Sequence, residues 1–404
     1  MPSPSEAFPP SNAAWPWAHF FAEDPRDWVL GSGEPAAHWA LLTGVLDRGP
    51  DDAWVAAAQE AVLADPGTEA LIRRLPDWEA GMPFSGHDSP AFAPNLLALL
   101  ADMGVRAGDD PRIDRLLEQM LAHQDGDGRF ASFAPLRGSS TPVWGALLCD
   151  SHATTEVLVR YGLGGDARVH AALVRMAGDL TTTAQGPAWP CRPDPATGFR
   201  GPGRRGDCCP QVTLEALRTF ARLPSAQRPA GLHDVARTSL RAWTDRGTEK
   251  PYMFGHGRTF KTVKWPAMWY RVDAILDGLG RYPGLWAEPG SSDGDRRALA
   301  ELAACLIAYN MTTEGRVVPR STYREFESFS FGQKAQPSPF ATARLLAILH
   351  RLDVLAPDAA AVDVTGLGSS RGGTGRAAPP IVGQPRRQPR QPSRTRCAPL
   401  SPTP

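Results

Sequence analysis

A helix ending in a Leu-rich turn recurs about every 60 residues, and this period constrains the fold more than any other feature. Five segments carry it: Pro90–Gly104, Trp144–Gly162, Cys209–Pro224, Val263–Tyr282 and Pro337–Leu355. Their mid-points, Asn95, His152, Thr213, Tyr270 and Thr342, lie 57, 61, 57 and 72 residues apart, and Ala36–Leu46 is a candidate sixth member. Between them stand more polar segments, Trp54–Leu63, Pro111–His123, Arg168–Asp179, His233–Trp243 and Arg296–Tyr309. In the second of these, Ile113, Leu116, Leu117, Met120 and Leu121 fall at helical spacing. Asp110, Asp166 and Asp295 each stand where an acidic N-cap would start a helix.

Helix pairs at this period have two natural solutions, an open solenoid or a closed ring of alternating inner and outer helices. The first set is richer in aromatic and small residues and suits an inner ring; the second is more charged and suits an outer one. No continuous β pattern is present, and short strands are expected only in the Gly/Pro-rich links.

Charge is unevenly placed. The chain has 43 basic and 43 acidic side chains, but residues 366–404 hold seven Arg and no acid, which leaves residues 1–365 with 36 basic against 43 acidic groups. An acidic body argues against nucleic acid as its partner. The last 39 residues, with eight Pro, cannot bury a core and are expected to be disordered. Six Cys in 404 residues are too few for a disulfide framework. Met1 to Phe21 shows no basic-then-apolar leader pattern, and no run of 18 apolar residues occurs, so a cytoplasmic protein without a transmembrane segment is expected. Only four of the basic residues are Lys, at 250, 261, 264 and 334.

One motif adds a family resemblance. Gln124-Asp-Gly-Asp127-Gly128-Arg-Phe130 has the form Gln-x-x-Asp-Gly-x-aromatic. It resembles the repeat signature of squalene/hopene-type terpene cyclases and protein prenyltransferase β subunits. Asn310-Met-Thr-Thr-Glu314-Gly315-Arg316-Val317 is a weaker copy, and Gln185-Gly-Pro-Ala-Trp189 a remnant. Physically the motif is a clasp: Gln bonds backbone at a helix end, Gly supplies positive φ, and the aromatic packs over the turn. Phe331-Gly-Gln-Lys334 with Pro337-Ser-Pro-Phe340 resembles the closing repeat of bacterial members of this superfamily. The resemblance spans roughly 90–355. It implies an all-α fold, an α/α toroid of about five to six helical hairpins over residues 35–356. Residues 1–34 then form an N-terminal extension and 357–404 a tail.

The catalytic aspartate motifs of the family are absent. Asp125-Gly-Asp127-Gly128 falls short of Asp-x-Asp-Asp, and Asp109-Asp110-Pro-Arg-Ile-Asp114 has one spacer too many for Asp-Asp-x-x-Asp. Prenyltransferases hold zinc through Asp-x-Cys at the start of an inner helix. Asp207-Cys-Cys209 matches that spacing, with His256 as the nearest substitute for the family's His. The alternative is that Cys149, Cys208 and Cys209 pack as small apolar residues. Asp150, inside an apolar helix, is a candidate general acid or an aspartate bonded internally. His152, His256, Lys261, Lys264, Trp265, Trp269 and Tyr270 are candidate cavity residues, the aromatics for apolar or cationic groups and the Lys for an anion. The alternative is ring core with ordinary salt bridges.

The expected function is a cyclase- or prenyltransferase-like toroid with a central cavity for a small apolar ligand such as an isoprenoid. Any site is expected at the helix-start end of the inner helices. Two competing readings are a non-catalytic toroid that binds a protein, and a carbohydrate-active toroid, which needs paired carboxylates such as Asp150 and Asp273.

Overall fold

The computed structural model describes residues 15–80, 88–135, 142–201, 206–249, 257–287, 289 and 291–367. The chain runs through α1 (Pro25–Leu30), α2 (Pro35–Gly44), α3 (Ala53–Ala64), α4 (Pro66–Ile72), α5 (Ala93–Met103) and α6 (Pro111–Ala122). An antiparallel pair, β1 (Ser132–Pro135) and β2 (Pro142–Gly145), leads to α7 (Leu148–Arg160) and α8 (Ala167–Gly178). A second pair, β3 (Thr181–Thr183) and β4 (Gly186–Ala188), leads to α9 (Pro210–Ala221) and α10 (Leu232–Thr244). Then come α11 (Arg258–Lys261), β5 (Lys264–Trp265), α12 (Val272–Leu279), α13 (Asp293–Asn310), β6 (Ser321–Thr322), α14 (Pro339–His350) and α15 (Ala356–Ala360). The structure is predominantly helical, with short strands confined to the links.

The two helix sets differ in what they bury. α6 buries Ile113, Leu116, Leu117, Met120 and Leu121 on one stripe, as an amphipathic surface helix does. α7 instead buries every residue from Leu148 to Leu158, polar ones included. α9 likewise buries Gln211, Thr213, Glu215 and Thr219 beside its apolar residues. Among the described residues, α2 packs on α5, α5 on α7, α7 on α9, α9 on α12, and α12 on α14; α14 then packs back on α2. α3, α8, α10 and α13 pack against α2, α7, α9 and α12 respectively.

Caps explain the starts. Asp110 accepts from Arg112 N and Asp166 from Arg168 N, both at 2.8 Å, as the sequence predicts. The third expected cap is off by a turn: α13 begins at Asp293, and Ser292 Oγ accepts from Asp295 N at 3.0 Å.

One helix is shorter than the repeat predicts. Residues 263–271 were expected to open an inner helix, but α12 starts only at Val272. Pro266 is the physical reason: it lacks an N–H and pushes Trp265 out of the helical region. Lys264 and Trp265 instead pair in parallel with Ser321 and Thr322, so Trp265, Trp269 and Tyr270 lie on an extended crossing segment.

The N-terminal segment is tied to the last repeat. Trp17 is fully buried, and its Nε1 donates to Leu349 O at 3.0 Å and to Asp353 Oδ1 at 2.9 Å. α1 packs against α14 and α2. Residues 368–404, most of the expected tail, lie outside the described residues.

Candidate functional site

The clasp motif forms as its chemistry predicts. Gln124 Nε2 donates to Gly128 O at 2.8 Å and to Arg168 O, in α8, at 2.7 Å. Asp125 Oδ1 accepts from the amides of Asp127 and Arg129, Gly128 adopts φ 88°, and Phe130 is buried. In the second copy the register is shifted. Met311 bridges Val317 as Gln124 bridges Phe130, so Met311 holds the glutamine's place. Asn310, one residue earlier, turns to the neighbouring repeat: its Oδ1 accepts from Val263 N at 2.8 Å and its Nδ2 donates to Lys261 O at 2.9 Å. Gln185 in the remnant ties Asp207 and the amide of Cys208. These clasps join repeats and leave the chemistry to the space between helices.

That space is a cavity of about 110 Å³ between α5, α7, α9, α12 and α14. At the helix-start end the crossing segment closes it, presenting Trp265, Met268 and Trp269. The segment is pinned at both ends: Tyr323 N donates to Trp265 O at 2.9 Å, and Tyr270 N donates to Gln211 Oε1 at 2.9 Å. Ala98, Leu99, Val157, Phe340 and Leu345 supply apolar wall.

Asp273, in the first turn of α12, is the exceptional group in this lining. It is 4% exposed, and its Oδ1 has no hydrogen-bond partner among the described residues. Burial raises its carboxyl to about 6, against weaker opposing contributions from its own and the following backbone amide and from Arg271. It can therefore hold a proton near neutral pH and deliver it into the cavity.

The helix-end half of the cavity is charged. Asp102 pairs with Arg160 and, at 2.9 Å, with Arg344. Glu156 takes Arg218 in a two-pronged contact at 3.1 and 2.9 Å. Asp277 takes Arg281 at 3.0 Å and also Arg351. Burial pushes these three carboxyls upward, but the adjacent arginines outweigh it and hold them below the ordinary range, Asp277 well below. They remain ionised, in contrast to Asp273. The lining is thus mixed, where an apolar cavity was expected.

The predicted site residues scatter. Trp265 and Trp269 line the cavity, and Tyr270 packs against Trp269 and Phe260. Asp150 lies elsewhere in the core, where Ser132 Oγ donates to its Oδ2 at 2.8 Å. His152 Nδ1 sits 3.2 Å from Val212 O with its ring edge-on to Trp189, and burial lowers it to about 4. Lys261 donates to Leu367 O at 2.6 Å and lies over the Tyr309 ring, towards the outer helices. Lys264 lies 3.5 Å over Tyr323. Asp207 is bound by Gln185, and the Cys209 thiol is in hydrogen-bond contact with Cys191. Among the described residues no three His, Cys, Asp or Glu side chains are grouped to hold a metal; His256 lies outside them.

Sequence reasoning names Asp273 only as half of a carboxylate pair and misses the arginine network. A signal existed: Val272-Asp-Ala-Ile-Leu-Asp277-Gly-Leu279 places two carboxylates four apart on an apolar helix. Arg160, Arg218, Arg281 and Arg344 also recur once in each of four successive repeats.

The chain matches no protein-family model and no curated protein sequence. The solved structures that resemble it include two of the type II terpene cyclase MstE from Scytonema. A variant without ligand has 17% identity and a TM-score of 0.38, covering 87% of this chain and 90% of that one. A variant in complex with its substrate, geranylgeranyl dihydroxybenzoate, has 15% identity and a TM-score of 0.37, covering 87% and 91%. No helix of the described residues is long and apolar enough to cross a membrane.

Proposed function

We propose that the chain is an α/α toroid of the cyclase/prenyltransferase kind whose central cavity receives a small isoprenoid-like ligand beside Asp273, an acid able to hold and give up a proton. The contact of α14 with α2 supports the closed ring over the open solenoid. The observation that carries the function is a buried carboxyl, titrating at about 6, with an oxygen left unpartnered among the described residues that line a cavity. Trp265, Trp269 and Phe340 offer π faces to an electron-poor carbon centre. At about 110 Å³ the cavity is well below the roughly 300–1,000 Å³ of drug-sized sites, so the ligand is compact. The carboxylate pair Asp150 and Asp273 does not support a carbohydrate-active toroid: Asp273 lines the cavity, whereas Asp150 does not and is bonded by Ser132.

Calorimetric titration with prenol, and with geraniol as the longer comparison, tests the reading. Saturable binding to the wild type and its loss in Ala274→Phe, which fills the cavity, are expected. Product analysis should then show any conversion abolished in Asp273→Asn. Binding of neither alcohol, or binding untouched by Ala274→Phe, would leave the non-catalytic, protein-binding toroid as the better account.

A further inference from the structure

The cavity's second end carries more positive charge than its ion pairs use. Among the described residues, the helix-end half gathers Arg160, Arg218, Arg222, Arg281, Arg344 and Arg351 around Asp102, Glu156 and Asp277. Five of these guanidiniums are accounted for by the pairs described above. Arg222 is not: its backbone N–H donates to Thr219 O, but among the described residues its guanidinium has no ion-pair or hydrogen-bond partner, although it lines the cavity. It follows the last residue of α9 and is solvent-exposed, so it stands at the mouth.

Two ordinary explanations fail for Arg222. An arginine can serve a helix end by donating to its last carbonyls, as Arg228 does to Ala221 O and Leu223 O, but the Arg222 guanidinium makes no such bond among the described residues. An arginine can also neutralise a nearby acid. The acids in reach, Glu156 and Asp277, are already taken, and the like charges of Arg160 and Arg281 act on Arg222 as well. Such a cation, aimed at a cavity and crowded by its own kind, is placed to receive an anion from solution.

We infer that the helix-end mouth is an oxyanion subsite, with Arg222 as its anchor and Arg160 beside it. It would take the phosphate or carboxylate head of an amphiphile whose apolar part lies among Leu99, Val157, Leu345 and Ile348. The inference rests on the cavity reading above and adds its polarity. The ligand's head faces the helix ends, and its apolar end faces Asp273 and the tryptophans. This is the end opposite to the one the sequence pointed to.

Inorganic phosphate and butyrate, each titrated against chloride at matched ionic strength and followed by thermal shift, test the subsite. The wild type should show saturable stabilisation by at least one of them, and which one identifies the head group. Arg222→Ala should weaken that binding about tenfold or more. Arg297→Ala, an exposed residue on α13, should leave it unchanged. No saturable effect beyond chloride, or equal affinity in Arg222→Ala, overturns the subsite. Prenol titration of Arg222→Ala separates the two ideas. Retained prenol binding with no anion effect sinks the subsite alone, whereas anion binding without prenol binding sinks only the isoprenoid reading.

Discussion

Replacing Asp273 with Asn should make the protein more stable at pH 8 and not at pH 4. The carboxyl is raised from 3.8 to about 6 because burial disfavours its charge. A group whose folded pKa is raised binds its proton more tightly in the folded state. For a carboxyl this means that stability is lost as pH climbs from about 4 through about 6. The shift is roughly 2 pK units, and at about 1.4 kcal/mol per unit the ionised side chain costs about 3 kcal/mol above neutral pH. Asparagine removes that charge while keeping the shape. Its NH₂ must still be accommodated, so a net gain of about 1–2 kcal/mol at pH 8 is expected. Urea unfolding of both proteins at pH 4 and pH 8 measures the difference, and background titration common to both cancels. Equal differences at the two pH values, or a loss at pH 8, would refute the reasoning, because either means that the carboxylate is stabilised by a partner. Stability gained with chemistry lost is the pattern expected of a functional acid.

Three further outcomes follow from the same physics. His350 lies between Asp353 at 3.0 Å and Asp47 at 2.9 Å; bonding to Asp353 leads in raising it to about 9. Its stabilisation is full below about pH 6.5 and fades as pH rises through about 9, so His350→Gln should lower Tm at pH 6 more than at pH 10. Removing one partner of the buried Glu156–Arg218 pair, as in Arg218→Met, should cost about 3–5 kcal/mol in urea unfolding, and Glu156→Gln in the same chain should recover part of it. The Cys209 thiol, by donating to Cys191, lowers the Cys191 pKa, whereas burial raises Cys149, Cys208 and Cys305. Timed iodoacetamide labelling read by peptide mass should therefore mark Cys191 first of these.

The parts legible in the sequence were those governed by local rules. Helical spacing placed the outer stripe of α6, acidic caps placed two helix starts, and Gln124 with Gly128 announced the clasp. The failures have a common cause. Polar side chains on an inner helix look like a solvent face, yet Ser151, Thr154, Thr155 and Glu156 of α7 are all buried. Asp273 was weighed only as one of a carboxylate pair, because its desolvation depends on five helices that sequence distance keeps apart. Asp150 looked like the better acid because its neighbours are apolar, but Ser132, 18 residues away, satisfies it. In the aromatic segment the repeat predicts a helix from Val263, and Pro266 outweighs it.

The contact between Trp17 and Leu349 joins residues 332 positions apart. During synthesis at roughly 5–20 residues per second, the N-terminal tryptophan would wait on the order of 15–70 s before its acceptor is made. α2 has the same delay before it meets α14. Until then its α14-facing flank, where Gly44 meets Ala347, has no closing neighbour. Nascent chains of this protein therefore expose an adhesive edge that vanishes only with the last repeat. Chains truncated before Pro339 should depend on chaperones or aggregate, even though most of their helices are complete.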